Sequence, residues 1–234
     1  PQDKEISPFT YLGFDGNNNG NPNLEISTNY NFDLKWDYYL SNNEIFTLNG
    51  FYKYILNPIA RVDQGNSAGL TTFDNVSDHA FATGIEAELR KKILSLNDKH
   101  QIHWGVNASY IYSKIDLDPK WYAHNTTSTL EGAAPYIFNT DITYKHESEK
   151  YTITSALVLN YLSDKVHTIG SRGYNNLIEE NFTILDFVSS LKLNKNINLG
   201  LKVLNLLNPD FKLSRKGTTE NNIPDVIIRS YKKG

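Results

Sequence analysis

Cysteine is absent from all 234 residues, and so is methionine. Without cysteine the chain has no disulfide, no thiolate nucleophile and no zinc–thiolate centre. No stretch approaches the ~18 consecutive apolar residues that a membrane-spanning helix requires. An excess of one charge is missing too. There are 23 Lys and Arg against 26 Asp and Glu, a net charge of -3, which leaves no basic stripe of the kind nucleic acid needs. No segment carries a helical hydrophobic period, and no linker or low-complexity tract divides the chain. It begins at Pro1 with neither an initiator methionine nor a signal peptide. An absent targeting segment at such a start carries no information.

What is present is aromatic: 15 Tyr, 11 Phe and 3 Trp, side chains that suit a pleated surface. A mean hydropathy of -0.47 would suggest a water-soluble protein, but strands that alternate apolar and polar residues hide a lipid face inside a polar average. The period is two. In 29–40, Tyr30, Phe32, Leu34, Trp36, Tyr38 and Leu40 occupy one parity, and Asn29, Asn31, Asp33, Lys35, Asp37 and Tyr39 the other, which is polar but for Tyr39. Successive side chains of a strand point to opposite faces, so one face is apolar and the other polar. Seven more such segments follow, at 45–56, 80–93, 101–113, 135–146, 151–162, 182–193 and 197–205.

Connections alternate in length. Residues 41–44, 95–100, 146–150 and 194–196 are short; 57–79, 114–134, 163–181 and 206–226 are long. A transmembrane barrel sorts its connections this way, with short periplasmic turns and long extracellular loops. Trp36, Tyr38, Phe46, Trp104, Tyr144 and Tyr151 lie beside the short turns, and Tyr52, Tyr54, Tyr110, Tyr112 and Tyr161 beside the long loops. Leu34, Leu48, Val106, Ala108, Leu157 and Leu159 fall between. Two aromatic girdles around an aliphatic band match two lipid–water interfaces. The expected fold is all-β: an antiparallel transmembrane β-barrel segment of about eight long strands.

Several short motifs carry a resemblance over nearly the whole chain. They are Gly20-Asn21-Pro22-Asn23-Leu24, Gly50-Phe51-Tyr52-Lys53 with Asn57-Pro58-Ile59, and Ala82-Thr83-Gly84-Ile85-Glu86 running into Leu89-Arg90-Lys91-Lys92. Gly132-Ala133-Ala134-Pro135-Tyr136, Asn205-Leu206-Leu207-Asn208 and Tyr231-Lys232-Lys233-Gly234 complete the set. In this order and spacing they resemble the C-terminal barrel of TonB-dependent outer-membrane receptors. The resemblance implies a barrel of about 22 strands with a plugged lumen. It also implies import of a scarce ligand driven through the plug by TonB. The plug and the final strand are absent from this sequence. Residues 1–24 are expected as an extracellular loop, 25–205 as eight strands, and 206–234 as a last extracellular loop leading into a further strand. The implied place is the outer membrane of a Gram-negative bacterium. The implied partners are the lipid bilayer, the plug and remaining strands, TonB, and a surface lipoprotein. The competing reading is a small structural or adhesive barrel closed by these eight strands alone, with no transport role.

Candidate functional residues fall into two groups. Trp121, Tyr122 and His124, beside Asp116 and Asp118 in the second long loop, are candidates for touching a ligand, since recognition residues concentrate on loops. A polar loop with aromatic anchors is preferred there to a cation site. Asp33, Lys35, Asp37, Glu86, Glu88, Arg90, Asp141 and Lys145 take the polar parity and are expected to face a wet lumen. The six His show no metal-ligand spacing, and no nucleophile accompanies the carboxylates. No catalytic residue, metal or cofactor is expected.

Overall fold

Alternation of period two produces long strands because aromatic and β-branched side chains fit a pleated surface and are crowded on a helix. The computed structural model describes residues 2–232 except 14, 15, 43, 67, 68, 98, 120, 121, 123, 124, 195 and 218–223. It opens with a single helical turn, α1 (Asp3–Ile6), and a short hairpin, β1 (Thr10–Gly13) and β2 (Gly16–Asn19). The long strands are β3 (Thr28–Ser41), β4 (Glu44–Leu56), β7 (His79–Leu96), β8 (His100–Asp116), β10 (Tyr136–Glu147), β11 (Tyr151–Leu162), β14 (Phe182–Leu193) and β15 (Ile197–Val203). Between and after them lie β5 (Ile59–Asp63), β6 (Thr71–Asn75), β9 (Thr127–Ser128), β12 (Lys165–Thr168), β13 (Leu177–Glu179), β16 (Asp210–Arg215) and β17 (Val226–Lys232).

The eight long strands form one antiparallel meander in chain order, from β3 at one edge to β15 at the other. Among the described residues no pairing joins those two edges, so the sheet is open. The sheet follows the expected alternation, but β8 runs on to Asp116 beyond the expected 113, β15 ends at Val203 before the expected 205, and the turn between β7 and β8 is shorter than expected. β7 and β8 run to Leu96 and from His100, so the turn between them is 97–99 rather than 95–100. The register slips between Lys92 and Leu94, and this bulge shifts the apolar parity onto Leu94 and Leu96. The broken alternation hides the end of the strand from a reading of sequence. Asn97 and Asn194, which open two of the short turns, both sit at φ 51°, a left-handed conformation that Asn tolerates.

The two faces of this sheet are chemically opposite. Asp37, Thr47, Glu88, Asn107, Asn139 and Asn160 pair in register across six strands, one polar row on the inward face. The outward face is apolar and bare: Phe32 and Leu34 are each 69% exposed. The accessible surface is 14705 Å², whereas a globular protein of this 26.7 kDa mass exposes about 10,700 Å². An open sheet exposed on both faces, with one of them apolar, accounts for the excess. Aromatic rings band it at both ends. Trp36 stacks on Tyr38 (5.9 Å) and meets Phe46 (6.1 Å) at the turn end. Phe81 lies between Tyr52 (6.3 Å) and Tyr112 (5.9 Å) at the loop end, where Tyr110 also meets Tyr136 (5.3 Å).

The long connections are not irregular loops. They fold into two four-stranded sheets, β1-β2-β6-β5 and β12-β13-β16-β17, which extend the molecule beyond the loop end. The expected loop over the first 24 residues thus contains α1, β1 and β2, and β16 and β17 pair with each other after residue 206. The two sheets meet where Asp63 N donates to Ile169 O (2.9 Å) and Ile169 N to Arg61 O (2.8 Å). Beneath that junction Val62, Val76, Ala80, Ile115, Tyr122, Val166 and Ile169 form a buried cluster. Ala80 and Ile115 pair across β7 and β8 on the polar parity, so this core sits on the inward side of the sheet, over the mouth.

Candidate functional site

The inward face of the long strands places the eight expected charges together by strand parity alone. Asp33, Lys35, Glu86 and Glu88, with Thr47, Asn49 and Asn107, line a hollow of about 300 Å³. Lys35 pairs with Asp37 at 3.2 Å, and Arg90 Nε with Glu88 Oε1 at 2.5 Å. Thr47 Oγ1 donates to Asp37 (2.6 Å), and Lys145 pairs with Glu147 at 3.0 Å. Glycines let larger neighbours lie flat on this face. A Cβ on Gly84 would come within 2.6 Å of the Phe51 ring, and one on Gly105 would strike the Asp141 carboxylate. These exposed pairs contribute little to stability. What they supply is a polar, hydrogen-bonding face.

The loop end holds a larger cavity, about 710 Å³, with Glu25, Asp74, Asp78, His79, Asp116 and Asp118 on its walls. His79 stacks on Tyr54 (5.9 Å), an outward-facing ring of the upper girdle, and Asp116 shares that parity. The cavity thus reaches from the buried cluster at Leu117 and Tyr122 to the rim of the sheet at His79 and Asp116. Amide side chains hold its floor: Asn57 donates to Glu25 Oε2 (3.0 Å), and Glu25 N donates to Asn75 Oδ1 (2.8 Å). Lys114 pairs with Asp116 (2.7 Å). Among the described residues no three His, Asp or Glu are arranged to hold a metal ion.

Of the three loop candidates, Trp121 and His124 lie outside the described residues. Tyr122 lies in the core with 3% of its surface exposed, and its hydroxyl donates to Asp74 Oδ2 (3.3 Å) at the cavity wall. Burial pushes the Asp74 carboxyl above its usual value, against the Tyr122 hydrogen bond, which lowers it. Burial and the Asp74 charge both push the Tyr122 phenol far up, so it stays a neutral donor. Tyr122 is thus placed as an anchor that ties 117–126 to β6, and ligand contact through its ring would require the core to open. Its small apolar surroundings come from three separate connections and the ends of the long strands, which sequence spacing does not show.

Sequence reasoning also missed a group of polar contacts within and between the loop-end sheets. Arg215 pairs with Asp63 from the opposite sheet and lies 4.9 Å over the Tyr174 ring. Lys165 pairs with Glu179 at 3.2 Å, and Arg61 Nη1 contacts His167 Nε2 at 3.0 Å. Asp63 and Arg215 are separated by 152 residues, so no local pattern links them. None of these groups forms a nucleophile–base pair on an accessible surface.

Comparison with known proteins agrees with this geometry. The chain is similar over 89% of its length to the FrpB iron transporter from Neisseria meningitidis, at 16% identity and a TM-score of 0.50. It is similar over 99% to a variant of the ferric enterobactin receptor PfeA from Pseudomonas aeruginosa in complex with enterobactin, at 14% identity and a TM-score of 0.56. Identities this low show the fold alone. The chain spans 31% and 35% of those two proteins, about a third of each. No curated protein sequence matches it. A family model described as TonB dependent receptor-like, beta-barrel matches residues 1–206. An open meander with one lipid-compatible face, one wet face and a folded loop end is the architecture of such a barrel, and the chain belongs to the TonB-dependent receptor β-barrel family and is not an enzyme.

Proposed function

We propose that this chain forms the C-terminal part of the barrel of a Gram-negative outer-membrane receptor that binds a scarce ligand at its loop end and imports it with TonB. The observation that carries the reading is the opposition of faces. A polar row crosses six strands, while the reverse face leaves Leu34 and Phe32 bare. Lipid on one side and a hydrated lumen on the other satisfy both at once. Asp33, Lys35, Asp37, Glu86, Glu88, Arg90, Asp141 and Lys145 then face the plug, and Trp121 and His124 belong to the ligand-gathering loops beside the anchor Tyr122. The bilayer, the plug with the other barrel strands, TonB and a surface lipoprotein are its partners. Chelated iron, haem, glycan, peptide and cobalamin are all candidate cargoes. A small adhesive barrel of these eight strands is disfavoured, because β3 and β15 are not paired with each other among the described residues.

Two measurements test this. On intact cells a tag at Asn42 stays hidden and a tag after Asn66 is reached by antibody; the reverse pattern rejects the orientation. Deleting the gene should abolish TonB-dependent growth on one of those five cargoes as the limiting source, and the wild-type gene should restore it. Growth unchanged on all five would reject import.

A further inference from the structure

At the turn end, two histidines join the outward aromatic girdle. His100 and His146 are register partners across β8 and β10, and their rings stack with centroids 4.3 Å apart at 30°. Tyr144 closes one side, its hydroxyl 2.7 Å from His100 Nδ1, and the Tyr151 ring packs on His146 at 5.5 Å. His146 Nδ1 is shut away from solvent with no hydrogen-bond partner. All four side chains share the face of Ile102, Trp104 and Ile142, which the reading above assigns to lipid.

These contacts make the two imidazoles unequal. A proton on His146 Nδ1 would be a buried N–H with no acceptor, which costs roughly 1–3 kcal/mol or more when charged. A proton on His100 Nδ1 is accepted by the Tyr144 oxygen, and the resulting imidazolium rests on a neutral ring. Two charges 4.3 Å apart would repel, and of the two rings only His100 offers an Nδ1 with a partner, the Tyr144 oxygen, so a proton added to the stack is best accommodated there. The other groups around the stack do not supply a fixed partner. From β7 comes Leu96, opposite His100, and Lys91, opposite Trp104. From β11 comes Ile153, opposite His146. Lys99, Glu149 and Lys150 belong to the adjoining turns, where Asp98 lies outside the described residues. Lys145 and Glu147 pair with each other on the other face of β10.

We propose that the His100–His146 stack is a proton-dependent site for the phosphodiester headgroup of an anionic phospholipid in the leaflet at the turn end. The proposal rests on the outward face meeting lipid. A single positive charge in the headgroup layer strengthens attraction to anionic lipid by about fivefold.

The test uses the complete barrel in lipid nanodiscs, with a fluorophore on Ile102→Cys, the outward position between His100 and Trp104. Quenching by brominated phosphatidylglycerol is compared with quenching by brominated phosphatidylcholine, between about pH 8 and pH 5, either side of the ordinary imidazole value. The preference for phosphatidylglycerol should rise about fivefold as the pH falls. It should stay flat in His100→Gln/His146→Gln, and Tyr144→Phe should lose part of the rise. A flat response in the parent, or an equal rise in the double variant, overturns the proposal while leaving the membrane reading intact. Absence of quenching by either lipid overturns both. Inorganic phosphate added at constant ionic strength should leave the preference unchanged; if it abolishes it, the site takes phosphate from solution and the lipid assignment falls.

Discussion

Two adjacent residues on β3 show how much a single step along a strand decides. Leu34 points outward opposite Gly50, in the aliphatic band, and Asp33 points inward opposite Phe51. Leu34→Arg should destabilise the reconstituted barrel by about 2–4 kcal/mol, because it sets a charge at mid-bilayer depth. Asp33→Arg should change stability by less than about 1 kcal/mol, since a charged side chain already stands there in water. Denaturant unfolding in lipid vesicles compares them; equal penalties would mean the faces are misassigned. At the loop end, Asp74 offers a test in pH. Burial raises its carboxyl above the usual 3.8, so the ionised form works against the folded loop. The sign follows from linkage: the stabilisation is complete below the unfolded value and is lost as pH rises through the raised folded value. Protection of the Leu117 and Tyr122 amides, taken as the ratio of the intrinsic to the observed exchange rate at each pH, should therefore be greater near pH 4 than at pH 7. Asp74→Asn, which keeps an acceptor for Tyr122, should slow exchange at pH 7 and flatten the difference. Faster exchange in the variant at pH 7 would contradict the sign.

Among the elements, the short strands at the loop end behave differently from the long ones. Each of β5, β6, β12, β13 and β16 has 3–6 residues, too few to stand without a packed face. Their stability comes from the cluster around Ile169 and from ionic contacts across the two sheets. Arg215→Met should leave the Asp63 carboxylate partly buried and unpaired, costing about 1–3 kcal/mol within this unit. Because the Arg215–Asp63 pair lies wholly outside the long strands, the loss should be local. Limited proteolysis should cut within 163–181 or 206–217 while the strand core stays resistant; resistance unchanged from wild type would show that the pair is idle. This rigidity also bears on recognition, since loops held in sheets pay less ordering entropy on binding a ligand than free chains.

For the whole molecule, the exposed apolar face and the two edges left unpaired among the described residues point the same way. β3 and β15 each carry a row of backbone donors and acceptors that water can satisfy but hydrocarbon cannot. Closing β3 onto β15 would demand a narrow barrel and press Glu86, Glu88, Arg90, Asp141 and Lys145 into an interior filled by side chains, where unpaired charge is costly. Residues 1–234 refolded alone in detergent should therefore aggregate, or show strand content without a cooperative, heat-modifiable barrel band. Supplying the remaining barrel strands should restore that band. A monomeric, protease-resistant barrel from these residues alone would make the small-barrel reading the better one.

The sequence by itself determined the sheet: which segments are strands, which parity is apolar and where the short turns fall. Those features are local, because side-chain alternation and turn chemistry are set by residues one or two apart. Even the place where the strand limits were misread, at Ile93, is local, since a bulge interrupts the very period being counted. The loop end was not legible in this way. Asn18 lies against Thr71, Asp63 against Arg215 and Tyr122 against Asp74 only after the chain has folded, and no short-range pattern selects those partners. The same holds for the histidine stack. His100 and His146 are unremarkable in sequence and meet because β8 and β10 pair in one register out of several. Periodicity is a property of the chain, but register between distant segments is chosen by the packing of the whole sheet, and the sites of this protein lie where that choice was made.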